Sequence, residues 1–77
     1  MYPTYVVARS ETSYRMFIKR NDLAYYDFKF LENYKGIHEI NSGSLLIFLD
    51  GAIKRNDYKQ IRDTIKLRTD LVRLKEW

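Results

Sequence analysis

The pattern of apolar and polar positions in the first part of the chain predicts two strands. Tyr5 to Ala8 is a β-branched and aromatic run, and Tyr14 to Lys19 alternates loosely between apolar and charged residues. The polar stretch Ser10 to Ser13 separates them, as the loop of a β-hairpin does. The two segments are therefore expected to pair as antiparallel strands.

Residues 23 to 34 fit two patterns. Their aromatic residues alternate with charged ones, as in a strand, and their apolar residues also share one face of a helix. Asn21-Asp22 before this stretch and Lys35-Gly36 after it are typical of helix starts and helix ends. We therefore expect a second helix at 23–34, with a strand as the alternative.

The next segment predicts two further strands. Ile37 to Ile40 and Leu45 to Leu49 are apolar runs on either side of a polar turn. The second run is uninterrupted, which is typical of a strand that is buried on both faces. It is therefore expected at the centre of the sheet.

The clearest helix is Tyr58 to Arg68, in which Ile61 and Ile65 continue a core stripe that begins at Tyr58. The tail, Leu71 to Glu76, is expected to form a closing strand or one or two further helical turns. An aromatic residue at the end, Trp77, suggests that the tail docks against the domain.

These elements predict an α+β fold: a single domain, 1–77, with a small antiparallel sheet of about four to five strands and a basic C-terminal helix on one face. A chain of 77 residues is near the lower limit at which one hydrophobic core sustains a fold. Exposed edge strands and a surplus of aromatic residues favour a homodimer, formed by edge pairing or by burial of an aromatic face.

One pentapeptide occurs twice, as Ile18 to Asp22 and as Ile53 to Asp57. Both copies end in Asn-Asp, residues that accept hydrogen bonds from the first N–H groups of a helix, so each copy is expected to precede a helix. Outside the pentapeptide the two halves do not align. Chance, a shared need for helix starts and an internal duplication all remain open.

The composition excludes several kinds of site. The chain has no cysteine, which rules out disulfides, zinc-thiolate sites and thiol catalysis. His38-Glu39 is the one place for acid–base chemistry, but in a strand the two side chains point to opposite faces. Gly-rich phosphate loops and calcium-loop spacing are missing. We expect no enzyme activity, no metal and no cofactor.

The chain begins without a basic leader and a long apolar core, and its longest aliphatic and aromatic run is Leu45 to Leu49. Together with the lack of cysteine, this predicts a soluble cytoplasmic protein with no membrane segment.

The basic charge is concentrated in one segment. The chain carries a net charge of +4 at pH 7. Residues 53–68 hold six cations against two carboxylates, an excess of four that equals the net charge of the whole chain. Helical spacing aligns most of these cations along one exposed edge. The aligned cations are Arg55, Lys59, Arg62 and Lys66, and together with Lys54 at the start of the segment they form what we call the predicted basic row.

Such a row suits the phosphates of a nucleic acid, because neutralising them releases counterions whatever the base sequence. An ordinary solvated helix face and a protein interface are the alternatives. Seven tyrosines and four phenylalanines are more than a small core needs, so some are expected at the surface, namely Tyr2, Tyr14, Tyr25 and Tyr34. Of these, Tyr14 and Tyr25 are the candidates for stacking on unpaired bases, with core packing as the alternative.

Two classes of function follow. The first is nucleic-acid binding, with RNA favoured, through the predicted basic row and the exposed tyrosines. The second is a small protein of the kind that phages encode to inhibit or modulate a host or defence protein. That alternative rests on the small size of the chain and its lack of catalytic residues and familiar motifs.

Overall fold

The computed structural model of the chain describes residues 3–74 and contains one sheet. In chain order its strands are β1 (Thr4–Val7), β2 (Phe28–Phe30), β3 (Leu45–Phe48) and β4 (Val72–Leu74). Their order across the sheet is β2-β1-β3-β4, and every neighbouring pair runs parallel. The predicted antiparallel sheet of an α+β fold is therefore wrong, and the domain is a small α/β fold.

The connection from β1 to β2 contains a helix where a hairpin strand was expected. Helix α1 spans Glu11–Arg20. Ser10 caps its start, since the Ser10 hydroxyl accepts a hydrogen bond from the Ser13 N–H at 3.2 Å. The buried residues of α1 follow helical spacing: Tyr14, Phe17 and Ile18. The polar stretch is thus a helix cap and first turn, and both the hairpin and the strand predicted at Tyr14 to Lys19 are wrong.

The two copies of the pentapeptide occupy different places in the fold. Ile18 to Asp22 ends α1, where the Asn21 side chain donates a hydrogen bond to the Phe17 carbonyl at 2.9 Å. Asp22 takes a left-handed φ of 52°, as residues just beyond a helix end often do. Ile53 to Asp57 instead precedes the second long helix. The prediction that a helix starts after the first copy is therefore wrong.

Residues 23 to 34 do not form the predicted helix. A single 3-10 turn at Tyr25–Asp27 leads into β2, whose two phenylalanines pack against the α1 side of the core. The alternation of aromatic and charged residues, which favoured the alternative of a strand, correctly predicts β2. The cap residues before this stretch belong to the end of α1 and not to a new helix.

A 3-10 helix at Tyr34–Glu39 replaces the strand predicted at Ile37 to Ile40. Ile37 and Ile40 are both buried and lie three residues apart, which is one turn of a 3-10 helix. A four-residue apolar segment does not by itself distinguish a strand from a buried turn, and for this reason the prediction failed.

The two central strands bury side chains on both faces of the sheet. In β1, Val6 packs with the residues of α1 and Val7 packs with the core on the opposite face. In β3, Ile47 packs with the residues of α1 and Leu46 packs with the core on the opposite face. All four side chains are at most 1% exposed. The expectation that the run from Leu45 lies inside the sheet is confirmed, because β3 lies between β1 and β4.

Helix α2 (Tyr58–Leu67) connects β3 to β4, and its buried residues Ile61 and Ile65 pack on the face opposite α1. This confirms the predicted helix at Tyr58 to Arg68. The closing strand predicted at Leu71 to Glu76 is confirmed over Val72–Leu74 as β4. Residues 75–77, and with them the predicted docking of Trp77, lie outside the described residues. The carboxyl ends of β3 and β4 and the start of α2 consequently lie at one end of the sheet.

Candidate nucleic-acid interface

Arg55, a member of the predicted basic row, is an internal clamp of the fold. Its side chain is only 7% exposed. The guanidinium donates to the Ala8 carbonyl after β1 at 3.2 Å and to the Leu31 and Glu32 carbonyls after β2 at 2.7 Å each. Two further hydrogen bonds reach the Asp57 carboxylate. All five N–H donors of Arg55 are thus in use, and none is left for a phosphate.

Asp57 completes this clamp. It stands at the N-cap position of α2, but its side chain does not cap the helix. The carboxylate instead pairs with Arg55 and accepts a hydrogen bond from the Tyr34 N–H at 3.1 Å. The second copy of the pentapeptide therefore fixes the entry to α2 through tertiary contacts and not through the predicted cap.

Arg68 and Asp70 form a similar clamp beyond the other end of α2. Arg68 donates to the Ile37 carbonyl at 2.8 Å and to the Ile40 carbonyl at 2.7 Å, which holds the end of the 3-10 helix. Its Nη2 lies 2.8 Å from an Asp70 carboxylate oxygen. The hydrogen bond from Arg68, with a second from Ser42, holds the pKa of Asp70 well below its usual range.

The other four cations of residues 53–68 are exposed: Lys54, Lys59, Arg62 and Lys66. Arg62 Nε lies 3.8 Å from an oxygen of Asp63, which is too long for a hydrogen bond, and both side chains are about half exposed. Within residues 3–74 the side chains of the three lysines have no hydrogen-bond or ion-pair partner. The predicted row is therefore corrected by removing Arg55.

Three of these cations follow one flank of α2. Arg62 lies four residues before Lys66 and three after Lys59, so all three project within roughly 60° of each other at 100° per residue. Of the three, Arg62 lies nearest to the core stripe, and it lines one pocket with Tyr58 and Ile65. We call Lys59, Arg62 and Lys66 the α2 row.

The pocket beside the α2 row has a volume of about 790 Å³ and lies at the carboxyl ends of β3 and β4. Its apolar wall includes Phe48, Ile53, Tyr58 and Ile65. A volume of this size and an apolar wall with a few charged groups are typical of ligand sites. In open parallel sheets, ligands bind at this end of the strands.

Three charged side chains line the same pocket: Asp50, Arg62 and Arg73. Arg73 reaches it from β4, because its register partner Leu46 belongs to the core on the α2 side. Sequence reasoning missed Asp50 and Arg73 as site residues. The alternation in Val72-Arg73-Leu74 places the arginine on the opposite face of the strand from its two neighbours. It does not show that α2 covers the face to which the arginine points.

Tyr14 is not available for base stacking. It is 4% exposed, and its ring lies 5.9 Å from that of Tyr25 and 5.6 Å from that of Phe30 between centroids. Burial raises the pKa of the Tyr14 hydroxyl, and the nearby Tyr25 raises it further. The expectation that Tyr14 lies at the surface is therefore wrong, and the alternative of core packing is correct.

Tyr25 is exposed as expected, at 52%, and its neighbour Tyr26 is more exposed, at 85%. Tyr25 lines a shallow pocket with Arg15 and Lys19 of α1. Because α1 and α2 cover opposite faces, Tyr25 lies away from the α2 row. Tyr34 is half-buried against the core, and Tyr2 is outside the described residues.

One part of the sheet face that carries α1 is exposed. Val72 and Leu74 pair with Leu45 and Ile47, and Ile47 belongs to the core on the α1 side. Leu45, Val72 and Leu74 are 39%, 47% and 40% exposed. These three residues form the exposed sheet face of the domain.

Over residues 3–74, no group of three or more histidine, cysteine, aspartate or glutamate side chains is placed to hold a metal ion. None of the described helices combines the length and the apolar character needed to cross a membrane. No protein-family model, curated protein or solved structure matches this chain.

Proposed function

We propose that the protein binds single-stranded nucleic acid, with RNA favoured, and that the α2 row contacts the phosphates. The observation that carries the proposal is the division of the cations in residues 53–68. Arg55 and Arg68 are held by carbonyls and carboxylates of the fold, whereas the one ion pair of the α2 row among the described residues is the long, half-exposed contact of 3.8 Å between Arg62 and Asp63. Neighbouring positive side chains repel one another, and a bound polyanion lowers that repulsion.

The surroundings of the α2 row support a single strand over a duplex. The pocket beside the row presents apolar and aromatic surface. Unpaired bases offer flat faces to such a surface, whereas the bases of a duplex are stacked on one another. Lys54, also exposed, lies four residues before the start of α2 and adds a further positive charge to this segment.

The test is charge reversal of the α2 row. In fluorescence anisotropy with a labelled single-stranded RNA at low salt, Lys59→Glu/Arg62→Glu/Lys66→Glu should weaken binding by about 100-fold or more. The matched control is Lys19→Glu/Arg20→Glu/Lys29→Glu, which changes the net charge equally at exposed positions outside α2. It should retain most of the affinity. Equal losses in both triple variants would remove the α2 row as the site, and a wild-type protein that binds no nucleic acid would refute the function.

The exposed sheet face favours a second candidate function, the binding of another protein. Parallel sheets are normally covered on both faces, and Leu45, Val72 and Leu74 are between 39% and 47% exposed. A host or defence protein, or a second copy of this chain, would bury them. A partner that survives nuclease treatment in a pull-down and is lost with Val72→Lys would support this function. A partner released by nuclease would contradict it.

A further inference from the structure

We propose that the pocket between α2 and β4 holds one unpaired nucleotide of the bound RNA. The base lies against Tyr58 and Ile53, the phosphate binds Arg62 and Arg73, and Asp50 accepts a hydrogen bond from the ribose 2′-hydroxyl. This inference rests on the proposed function of the α2 row. It adds a site that accepts only an unpaired nucleotide and that distinguishes RNA from DNA.

The wall of the pocket provides the contact for the base. Tyr58 packs against the core, so its ring is held in place, while Ile53 beside it is 66% exposed. An exposed isoleucine next to a fixed aromatic ring is apolar area that a base can cover. Base stacking on such surface tolerates any sequence, because every base has a flat π face.

Two arginines from different elements provide the contact for the phosphate. Arg62 comes from α2 and Arg73 from β4, and both line the pocket. The Arg73 side chain has no hydrogen-bond or ion-pair partner in the described part of the chain. A guanidinium presents paired N–H donors that match two oxygens of one phosphate, and two of them on one pocket complement its charge.

Asp50 distinguishes the two kinds of strand. A carboxylate beside a phosphate is unfavourable unless it accepts a hydrogen bond from the same ligand, and Asp50 forms no ion pair with Arg62 or Arg73. The ribose 2′-hydroxyl is a donor that DNA lacks. In nucleotide sites of doubly wound sheets, an acidic side chain near the strand ends takes this role.

The first experiment separates the pocket from the α2 row. Arg62→Lys/Arg73→Lys keeps every positive charge but removes the paired donors. By anisotropy it should weaken binding of single-stranded RNA about tenfold and leave binding of duplex RNA unchanged within about twofold. An equal effect on both, or none on either, would overturn the pocket. If charge reversal of the α2 row still abolished binding, the proposed function would stand without the nucleotide pocket.

The second experiment measures the ratio of affinities for RNA and DNA single strands of one sequence. Wild-type protein should prefer RNA, and Asp50→Ala should bring the ratio close to one. Asp63→Ala is the matched control: it removes an equal charge on α2 but does not line the pocket. It should raise both affinities alike and keep the ratio. A wild-type ratio of one, or a ratio that Asp50→Ala leaves unchanged, would overturn the assignment of Asp50.

Discussion

Arg55 and Asp57 form a two-armed ion pair, with Arg55 Nε 2.9 Å from Asp57 Oδ1 and Nη2 3.2 Å from Oδ2. The same guanidinium reaches carbonyl oxygens after β1 and after β2. One side chain therefore joins the ends of two strands to the start of α2. The contact is structural, although the sequence around Arg55 is among the most basic in the chain.

Loss of Arg55 should destabilise the fold. Arg55→Ala leaves the Asp57 carboxylate and three carbonyl oxygens without their donor, so we expect a loss of about 3–5 kcal/mol in the free energy of unfolding. Lys54→Ala, at the exposed neighbour, should change it by no more than about 0.5 kcal/mol. Urea unfolding followed by circular dichroism measures both. A stable Arg55→Ala protein would contradict the clamp.

The Arg68–Asp70 clamp should make stability depend on pH. Since folding lowers the pKa of Asp70, its contribution is complete above the unfolded value of about 3.9 and is lost as the pH falls towards the lower folded pKa. Asp70→Asn should therefore unfold at a lower temperature than wild type at neutral pH. The difference should shrink between about pH 5 and pH 2.

Thermal unfolding across this pH range checks the prediction, with Asp27→Asn as the control. Asp27 is exposed on the 3-10 turn before β2, so its variant should follow the wild-type curve at every pH. A gap between Asp70→Asn and wild type that stayed constant down to acid pH would show that the Asp70 carboxylate is not the titrating group.

The two tyrosine environments should give opposite results. Tyr14→Ala removes a buried ring that contacts Tyr25 and Phe30, and should lower the free energy of unfolding by about 3–5 kcal/mol. Tyr26→Ala removes a ring that is 85% exposed and should change it by about 0.5 kcal/mol or less. Denaturant titration of both variants is sufficient. Similar midpoints would contradict the burial of Tyr14.

Salt should weaken RNA binding steeply. If three or four phosphates are neutralised, the logarithm of the association constant should fall against the logarithm of salt concentration with a slope of about −2 to −3. Lys66→Ala should make that slope shallower by about 0.7, and Lys19→Ala on α1 should leave it unchanged. Anisotropy titrations at several salt concentrations give the slopes. Equal slopes for all three proteins would exclude a phosphate contact at Lys66.

Several elements follow from local pattern alone. The core stripe of α2 is a strong signal, because it repeats over enough residues to select the helical period. The run at β3 has no periodicity of its own, and the turn residues on either side of it, Ser42-Gly43 and Asp50-Gly51, indicate a buried strand. The weak signals failed. Ser10 to Ser13 fits a hairpin loop as well as a helix cap, and only the packing of Tyr14 and Phe17 into the core selects the helix.

Strand direction and the composition of the site were decided by contacts between distant parts of the chain. Parallel pairing follows from the helix at Glu11–Arg20, which local pattern did not select: with a helix in the connection from β1 to β2, the two strands run in the same direction. In sequence, Arg55 and Arg62 are equivalent members of one basic segment. Folding places Arg55 among carbonyls of Ala8 and Leu31, so its charge is used internally, and leaves Arg62 beside Arg73 at an open pocket. The sequence determined how much charge the segment carries, and tertiary contacts decided which cations remain available to a ligand.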